Sequence, residues 1–378
     1  MPLSKILPAS FGEPNPTNFV INGNMISAQR GSVSKSANSY GYTLDQWELS
    51  NYIDDTITVT QDSDVPTGVG LANSMKITGS SGDNSLDSAD YLSMVHKFEG
   101  QNIQSLKKGT ANAQPMTFSF WIKATTTGTY IVEFADNDNT RKISKSYTVS
   151  STNTWEYKSI TVEADTTGAF ADINNTSLWI QMWFAAGSNF TTGSLNSSWT
   201  SSTVVNTRVA GQVNGMSSAS HNIYLTGVCL NAGSQSLSGN DGKSFPHESF
   251  AETLAKCQRY YTRFQATSNY SYYGSGVNSA TTTARIFKSF PVEMNHVPTL
   301  EQSANNTWNI YPPGQGFTAD ATINNASTWG SAITCTTGAN LTTNSGYGVG
   351  KKNQCFRCSF KFLFTLQFNS RKKNFFRK

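Results

Sequence analysis

Three tryptophans are the side chains in this sequence best suited to hold a ligand: Trp179, Trp183 and Trp121. Trp179 and Trp183 stand four positions apart in the alternating run SLWIQMWF, so on a strand both indoles project from one side. Sugars present C–H faces that pack on indole rings, a large apolar contact made by a side chain with few torsions to freeze. Trp121, opposite Phe118 and Phe120 in TFSFWIK, would extend such a platform. The competing reading is packing, because a sandwich strand buries one face and alternation alone does not say which. Trp155, Tyr157, Tyr260 and Tyr261 read as structural.

No constellation points to catalysis. His96, His221, His247 and His296 show no two-histidine ligand spacing, and no G-x-S-x-G elbow occurs. The acid pairs Glu133/Asp136 and Glu156/Glu163 fall on strand and turn segments and read as surface acids. A depolymerase would call for a long repeating β-helix, and no such repeat is present. Cys355-Phe356-Arg357-Cys358 lacks two further zinc ligands, and GYGVGKK lacks the first glycine and closing Ser/Thr of a phosphate loop. Asp136-Asn137-Asp138-Asn139 carries oxygen ligands without EF-hand spacing. Asp136 and Asp138 are therefore calcium candidates, with a plain hairpin turn as the simpler reading. The expectation is no enzyme, no catalytic residue, and no cofactor beyond an optional structural calcium.

The elements that must position these residues are short strands. Charged residues make up 14% of the chain, against roughly 25% in ordinary soluble domains, and aromatic residues 12%. Ser, Thr, Asn and Gly fill the difference, a composition of strands, polar turns and buried rings. The clearest strands are Thr117–Lys123, Thr129–Phe134, Trp155–Glu163, Ser177–Phe184 and Asn222–Leu230. In the fourth, Leu178, Ile180, Met182 and Phe184 share one face, and Trp179, Gln181 and Trp183 the other. Residues 1–18, with four prolines, read as an extended arm; 19–232 as a jelly-roll β-sandwich; 233–246, rich in Gly and Ser, as a linker. Ser249 and Glu252 then form a capping box, with Phe250, Leu254, Cys257, Tyr261 and Phe264 at helical spacing. A helix over 249–264 opens a smaller, mostly-β domain over 247–350 that includes Ala284–Met294, Thr307–Tyr311, Gly316–Ile323 and Ala332–Thr336. The fold class is mainly β.

The net charge of +4 is local. Nine of the 28 Lys and Arg lie in 351–378, which has no acid, so the rest of the chain is net negative and carries no basic footprint for nucleic acid. That tail, with seven Phe, reads as a frameshifted or read-through end. Five cysteines, an odd number, are no disulfide framework and suit synthesis in a reducing cytoplasm. The first residues lack an apolar stretch for a signal peptide, and no run is long enough to insert in a membrane.

Several stretches taken together resemble a known family. They are NFVINGNMISAQRG from Asn18, LDQW from Leu44, FEGQNIQSLKKGTANAQPMTFSFWIKATTTGTYIVEFADNDN from Phe98, NTWEYKSITVEADTTG from Asn153, WFAAGSNFTTGSLNSSW from Trp183, IYLTGVCLNAGS from Ile223 and SFAETLAKCQRYY from Ser249. In order and number they are similar to phage tail-fibre and virion-associated proteins, in which a carbohydrate-binding-module-like jelly roll precedes a domain opening with a Cys-Gln-Arg-Tyr-Tyr helix. The resemblance spans about residues 18–264. Gln46, Cys229, Asn231 and Ser244–His247 depart from its usual pattern, and the tail replaces its closing strands.

The resemblance implies a virion protein that contacts a host cell-surface glycan and other virion or tail proteins, and, by analogy with fibres, a homotrimer. A purely structural decoration or oligomerisation protein is the alternative, and a polysaccharide depolymerase the third reading. The expected location is the virion, after synthesis in the host cytoplasm.

Overall fold

The computed structural model describes residues 17–201, 205–265, 274–301, 308–311, 317–324, 326–337, 346–350 and 357–361. The arm expected over 1–18 lies outside the described residues except for its last two positions, and the tail over 351–378 except for 357–361. The described residues form two compact units, 17–249 and 250 onward.

The first unit holds β1 (Val33–Lys35), β2 (Ser39–Tyr42), β3 (Trp47–Asn51), β4 (Ile57–Asp62), β5 (Ser74–Gly79), β6 (Tyr91–Glu99) and β7 (Met116–Ala124). It continues with β8 (Gly128–Asp136), β9 (Arg141–Val149), β10 (Glu156–Val162), β11 (Thr176–Ala186), β12 (Thr200–Ser201) and β13 (Asn222–Ala232). One short helix, α1 (Ser188–Thr191), follows β11. The strands make two antiparallel sheets, ordered β1-β4-β5-β13-β7-β10 and β12-β9-β8-β11-β6-β3-β2. The expected β-sandwich of jelly-roll type is the fold found.

Alternation explains the layering. On β7, Phe118, Phe120 and Ile122 are buried between the sheets; on β11, Leu178, Ile180, Met182 and Phe184 are. Phe118 meets Phe134 edge-on at 5.7 Å, and Phe120 meets Tyr147 at 5.1 Å, locking the six-stranded sheet onto the seven-stranded one. Strands between residues 33 and 99 were not singled out by their sequence, because several are short and rich in Ser and Thr. β6 is buried on both faces for most of its length and so lacks a clean polar alternation.

The start of the unit docks on its end. Asn18 Nδ2 donates to the Val228 carbonyl and the Leu230 amide donates to Asn18 Oδ1, while the Phe19 amide donates to the Leu230 carbonyl. Gly23 lies so close to β13 that a Cβ there would sit 2.0 Å from the Val228 carbonyl oxygen.

His96 belongs to this core, on the inner face of β6 between Trp47 (ring centroids 4.9 Å apart) and Phe98 (4.7 Å), with Nε2 3.1 Å from the Ile21 carbonyl. Burial pushes its pKa down to about 4, from an ordinary 6.5. In the unfolded chain the ring takes up a proton near pH 6.5, before the folded form can. Its contribution to stability is therefore present above that pH and is lost as pH falls toward 4. Between pH 6.5 and 5 the loss should be about 2 kcal/mol. Urea denaturation of the full chain at the two pH values checks this: His96→Gln should remove most of the difference.

The second unit opens with α2 (Phe250–Gln258), followed by β14 (Arg263–Gln265), β15 (Gly274–Ala280), β16 (Thr283–Ser289), β17 (Thr299–Glu301) and β18 (Trp308–Tyr311). Then come β19 (Phe317–Asn324), β20 (Gly330–Thr337), β21 (Gly346–Gly350) and β22 (Arg357–Lys361). Six of these strands close into a barrel, β15-β16-β20-β19-β18-β21, and three form a small sheet, β14-β22-β17. The helix is shorter than the expected 249–264. It stops at Gln258 because Tyr260-Tyr261-Thr262 is aromatic and β-branched, because Tyr261 and Thr262 are buried, and because the Arg259 carbonyl accepts from Asn295. Its buried residues are Thr253 and Cys257, Tyr261 is buried just beyond its end, and Phe250 is exposed.

Candidate functional site

The outer face of the seven-stranded sheet, away from the core, gathers Trp179, Trp183, Gln181 and Glu133. Cross-strand register sets Lys97, Trp179, Ala135 and Lys142 in one row. The next row is Tyr42, Glu48, Val95, Gln181, Glu133 and Ser144. The third includes Tyr40, Ser50, Ser93, Trp183, Ile131 and Ser146. Adjacent strands lie about 4.8 Å apart, so neighbours in a row are within reach of one another.

A crossing segment splits this face. After β11 the chain turns through α1 and returns over the third row. Phe190 packs on Trp183 at 5.4 Å, Val209 joins the same cluster, and the Arg208 guanidinium lies 4.8 Å over the Trp183 ring. Trp183 is fully buried there. This corrects its assignment as a ligand platform: its ring faces already carry Tyr91, Phe190 and Arg208. Trp179, one row away, stays half-buried, although its Nε1 is buried without a hydrogen-bond partner. Lys97, Lys142, Glu48 and Tyr42 around it are likewise partly exposed.

Beside the row that holds Trp179, one buried network joins Arg208, Glu133, Gln181 and Ser93. Arg208 donates to both oxygens of Glu133, from Nε at 2.8 Å and Nη2 at 2.6 Å. Its Nη2 also reaches Gln181 Oε1 at 3.2 Å, and Gln181 Nε2 donates to Ser93 Oγ at 2.8 Å. Lys142 approaches Glu133 at 3.4 Å, and Lys97 pairs with Glu48 at 2.6 Å. Burial alone would lift the Glu133 carboxyl, but the charges of Arg208 and Lys142 outweigh it and hold the pKa at about 2. The result is a buried, internally paired polar network beside one half-buried indole. Gln181 was legible from its place between the two tryptophans. Arg208 was not, since it arrives from a loop with no periodic signal.

Trp121 stands elsewhere. It lies on β7, in the other sheet, so it cannot extend a platform built on β11. Residues 233–246, expected as a linker, lie against it. Trp121 Nε1 donates to the Gly242 carbonyl at 3.3 Å, Tyr157 packs beside it at 5.5 Å, and Phe245 shares its cluster. Gly242 has φ +73°, and a Cβ there would fall 2.6 Å from Trp121 Nε1. The outer face at Trp121 is therefore partly covered, and the indole stays half-buried, as that of Trp179 does.

The other candidates are engaged by the chain itself. Asp136 accepts from Lys108, from the amides of Asp138 and Asn139, and from the Asn139 side chain; Asp138 caps the Ala171 amide. The two carboxylates thus belong to a hairpin turn and an ion pair, and the position expected for a calcium ion at Asp136 is taken by Lys108. Among the described residues no three His, Cys, Asp or Glu side chains gather as a metal set. Glu156 is held by Lys158 and the Ser150 and Ser151 amides, and Glu163 by Lys145.

No family model and no curated protein matches the chain. Solved structures similar to part of it include the enzymatically active domain of tailspike protein 4 from bacteriophage CBA120, at 13% identity and TM-score 0.30. That match covers 57% of this chain and 21% of the tailspike. The carbohydrate-binding module TmCBM61, solved with β-1,4-galactotriose, is similar at 9% identity and TM-score 0.28 over 57% of this chain and 97% of that one. A family 11 carbohydrate-binding module of a Clostridium thermocellum cellulase is similar at 11% identity and TM-score 0.26, over 53% and 95%. At such identities and scores these neighbours assign neither a ligand nor a site residue to this chain.

Proposed function

We propose that this chain is a non-enzymatic, tail-fibre-type virion protein whose sandwich unit binds a glycan on the host surface through the Trp179 face. The observation that carries the reading is the half-buried Trp179 indole, with the partly exposed Lys97 and Lys142 in the same row. An apolar plane next to partly exposed polar side chains suits a sugar ring with one C–H face and hydroxyls at its edge. The virion setting rests on the ordered family-like motifs of residues 18–264. The burial of Trp183, and the packing of residues 233–246 against Trp121 on the other sheet, favour the second reading, a structural virion protein with no glycan affinity, and leave Trp179 as the residue to test.

A glycan array probed with the full chain, followed by titration of any positive, separates the two. Trp179→Ala should weaken binding at least tenfold, about 1.4 kcal/mol, with circular dichroism and thermal midpoint near wild type. Equal binding by the variant would move the site off this face, and no binding to any host glycan would leave the structural reading. Release of reducing ends from host polysaccharide would make the protein an enzyme. Light scattering tests the proposed trimer.

A further inference from the structure

Lys108 is held as a bound ion is held. Its ammonium lies 2.6 Å from Asp136 Oδ2, 3.1 Å from Asp165 Oδ2 and 2.8 Å from each of the Thr167 and Gly168 carbonyl oxygens. The side chain is 5% exposed, that of Asp136 0% and that of Asp165 4%. Four oxygens surround a group with three N–H donors, so at least one approaches the charge rather than a proton. The rings of Phe170 and Trp199 flank the ammonium at 5.2 and 5.4 Å. The oxygens come from the end of β8 and from the 165–168 loop, segments about thirty positions apart in the chain, and Lys108 comes from a third.

We propose that Asp136, Asp165 and the Thr167 and Gly168 carbonyls form a cation-binding site that this chain fills with its own lysine. The donor set is all oxygen with two carboxylates, the chemistry that takes a small hard cation or an ammonium group. The charge count agrees. Arg141 also pairs with Asp165, through Nε at 2.7 Å and Nη2 at 3.1 Å. Two carboxylates thus face Arg141 and Lys108, and taking away the lysine leaves a surplus negative charge in a buried place. The tether makes the occupant permanent, so this end of the sandwich assembles without an ion from the medium.

The full chain with Lys108→Ala tests the site by chemical replacement. Thermal midpoints are read with added methylammonium and with added calcium, and tetramethylammonium, too bulky for the cavity, controls for ionic strength. Wild type should be indifferent to all three and to a chelator. Lys108→Ala should melt lower and recover several degrees, saturably, with methylammonium or calcium but not with the bulky ion. Recovery with methylammonium alone identifies an ammonium site, and recovery with calcium a metal-competent one; either supports the proposal. A folded variant that answers to neither cation, or one as stable as wild type, overturns it. If Lys108→Ala does not fold, Lys108→Ala with Asp136→Asn carries the test. Neutralising one carboxylate should restore folding without any response to cations, and failure to restore it counts against the charge argument.

Discussion

Arg208→Met should destabilise the sandwich by about 3–5 kcal/mol, because it leaves the buried Glu133 carboxylate with only the more distant Lys142. The size comes from uncompensated burial and not from the worth of the ion pair. Two further results should follow. Arg208→Met combined with Glu133→Gln should recover much of the loss, since no buried charge then lacks its strong partner. The deficit of Arg208→Met should also shrink on acidification. In wild type, Glu133 is ionised down to about pH 2, below its ordinary 4.5, so its contribution is present above pH 4.5 and is lost as pH falls toward 2. Without Arg208, burial prevails, the carboxyl protonates earlier, and the variant sheds its penalty. Urea midpoints of the three proteins between pH 7 and pH 4 check the series; parallel curves would remove Glu133 as the cause.

Trp183→Ala should also cost about 3–5 kcal/mol, as for other large aromatic residues removed from a packed interior. Tyr91, Phe190 and Val209 would line the cavity, and Arg208 would lose the ring beneath it. Trp179→Ala should cost clearly less, because part of that ring already faces water. Identical substitutions four residues apart on one strand would thus fall mainly on stability in one case and on binding in the other. Denaturation midpoints of the two variants, set beside their glycan titrations, measure the split. Similar stability losses would mean that Trp179 is core as well.

These paired outcomes mark how far the sequence could be read. A period of two identified β7, β8, β10, β11 and β13 and separated Leu178, Ile180, Met182 and Phe184 from Trp179, Gln181 and Trp183. Which face is inside was left open by the alternation, and the structure places the wholly apolar set between the sheets. What lies over the other face did not follow either. Trp183 is covered by Phe190, Arg208 and Val209, and Trp121 partly by Gly242 and Phe245, from segments with no regular pattern and, for Trp121, more than a hundred positions away. Periodicity reports which way a side chain leaves its own strand, whereas coverage depends on where a distant loop comes to rest. The acid-rich turn at Asp136 is similar: its oxygens are legible, but the ammonium that fills them comes from Lys108, 28 residues earlier. The helix beginning near residue 250 was visible from its cap, and its early end was set by tertiary burial of Tyr261 and Thr262.

The place of β13 in the six-stranded sheet bears on how the protein is made. It is the last strand of its unit in sequence yet lies between β5 and β7. While the chain emerges from the ribosome, β1-β4-β5 and β7-β10 are two separate ribbons, each with an open edge. Only the arrival of residues 222–232 joins them, and only then can Asn18 close on Leu230 across 212 residues. Such late, non-local pairing makes folding slow and exposes unpaired edges to other nascent chains. A product truncated before residue 222 would then carry two unjoined ribbons in place of the six-stranded sheet, and completion of the chain becomes part of what this topology demands of its synthesis.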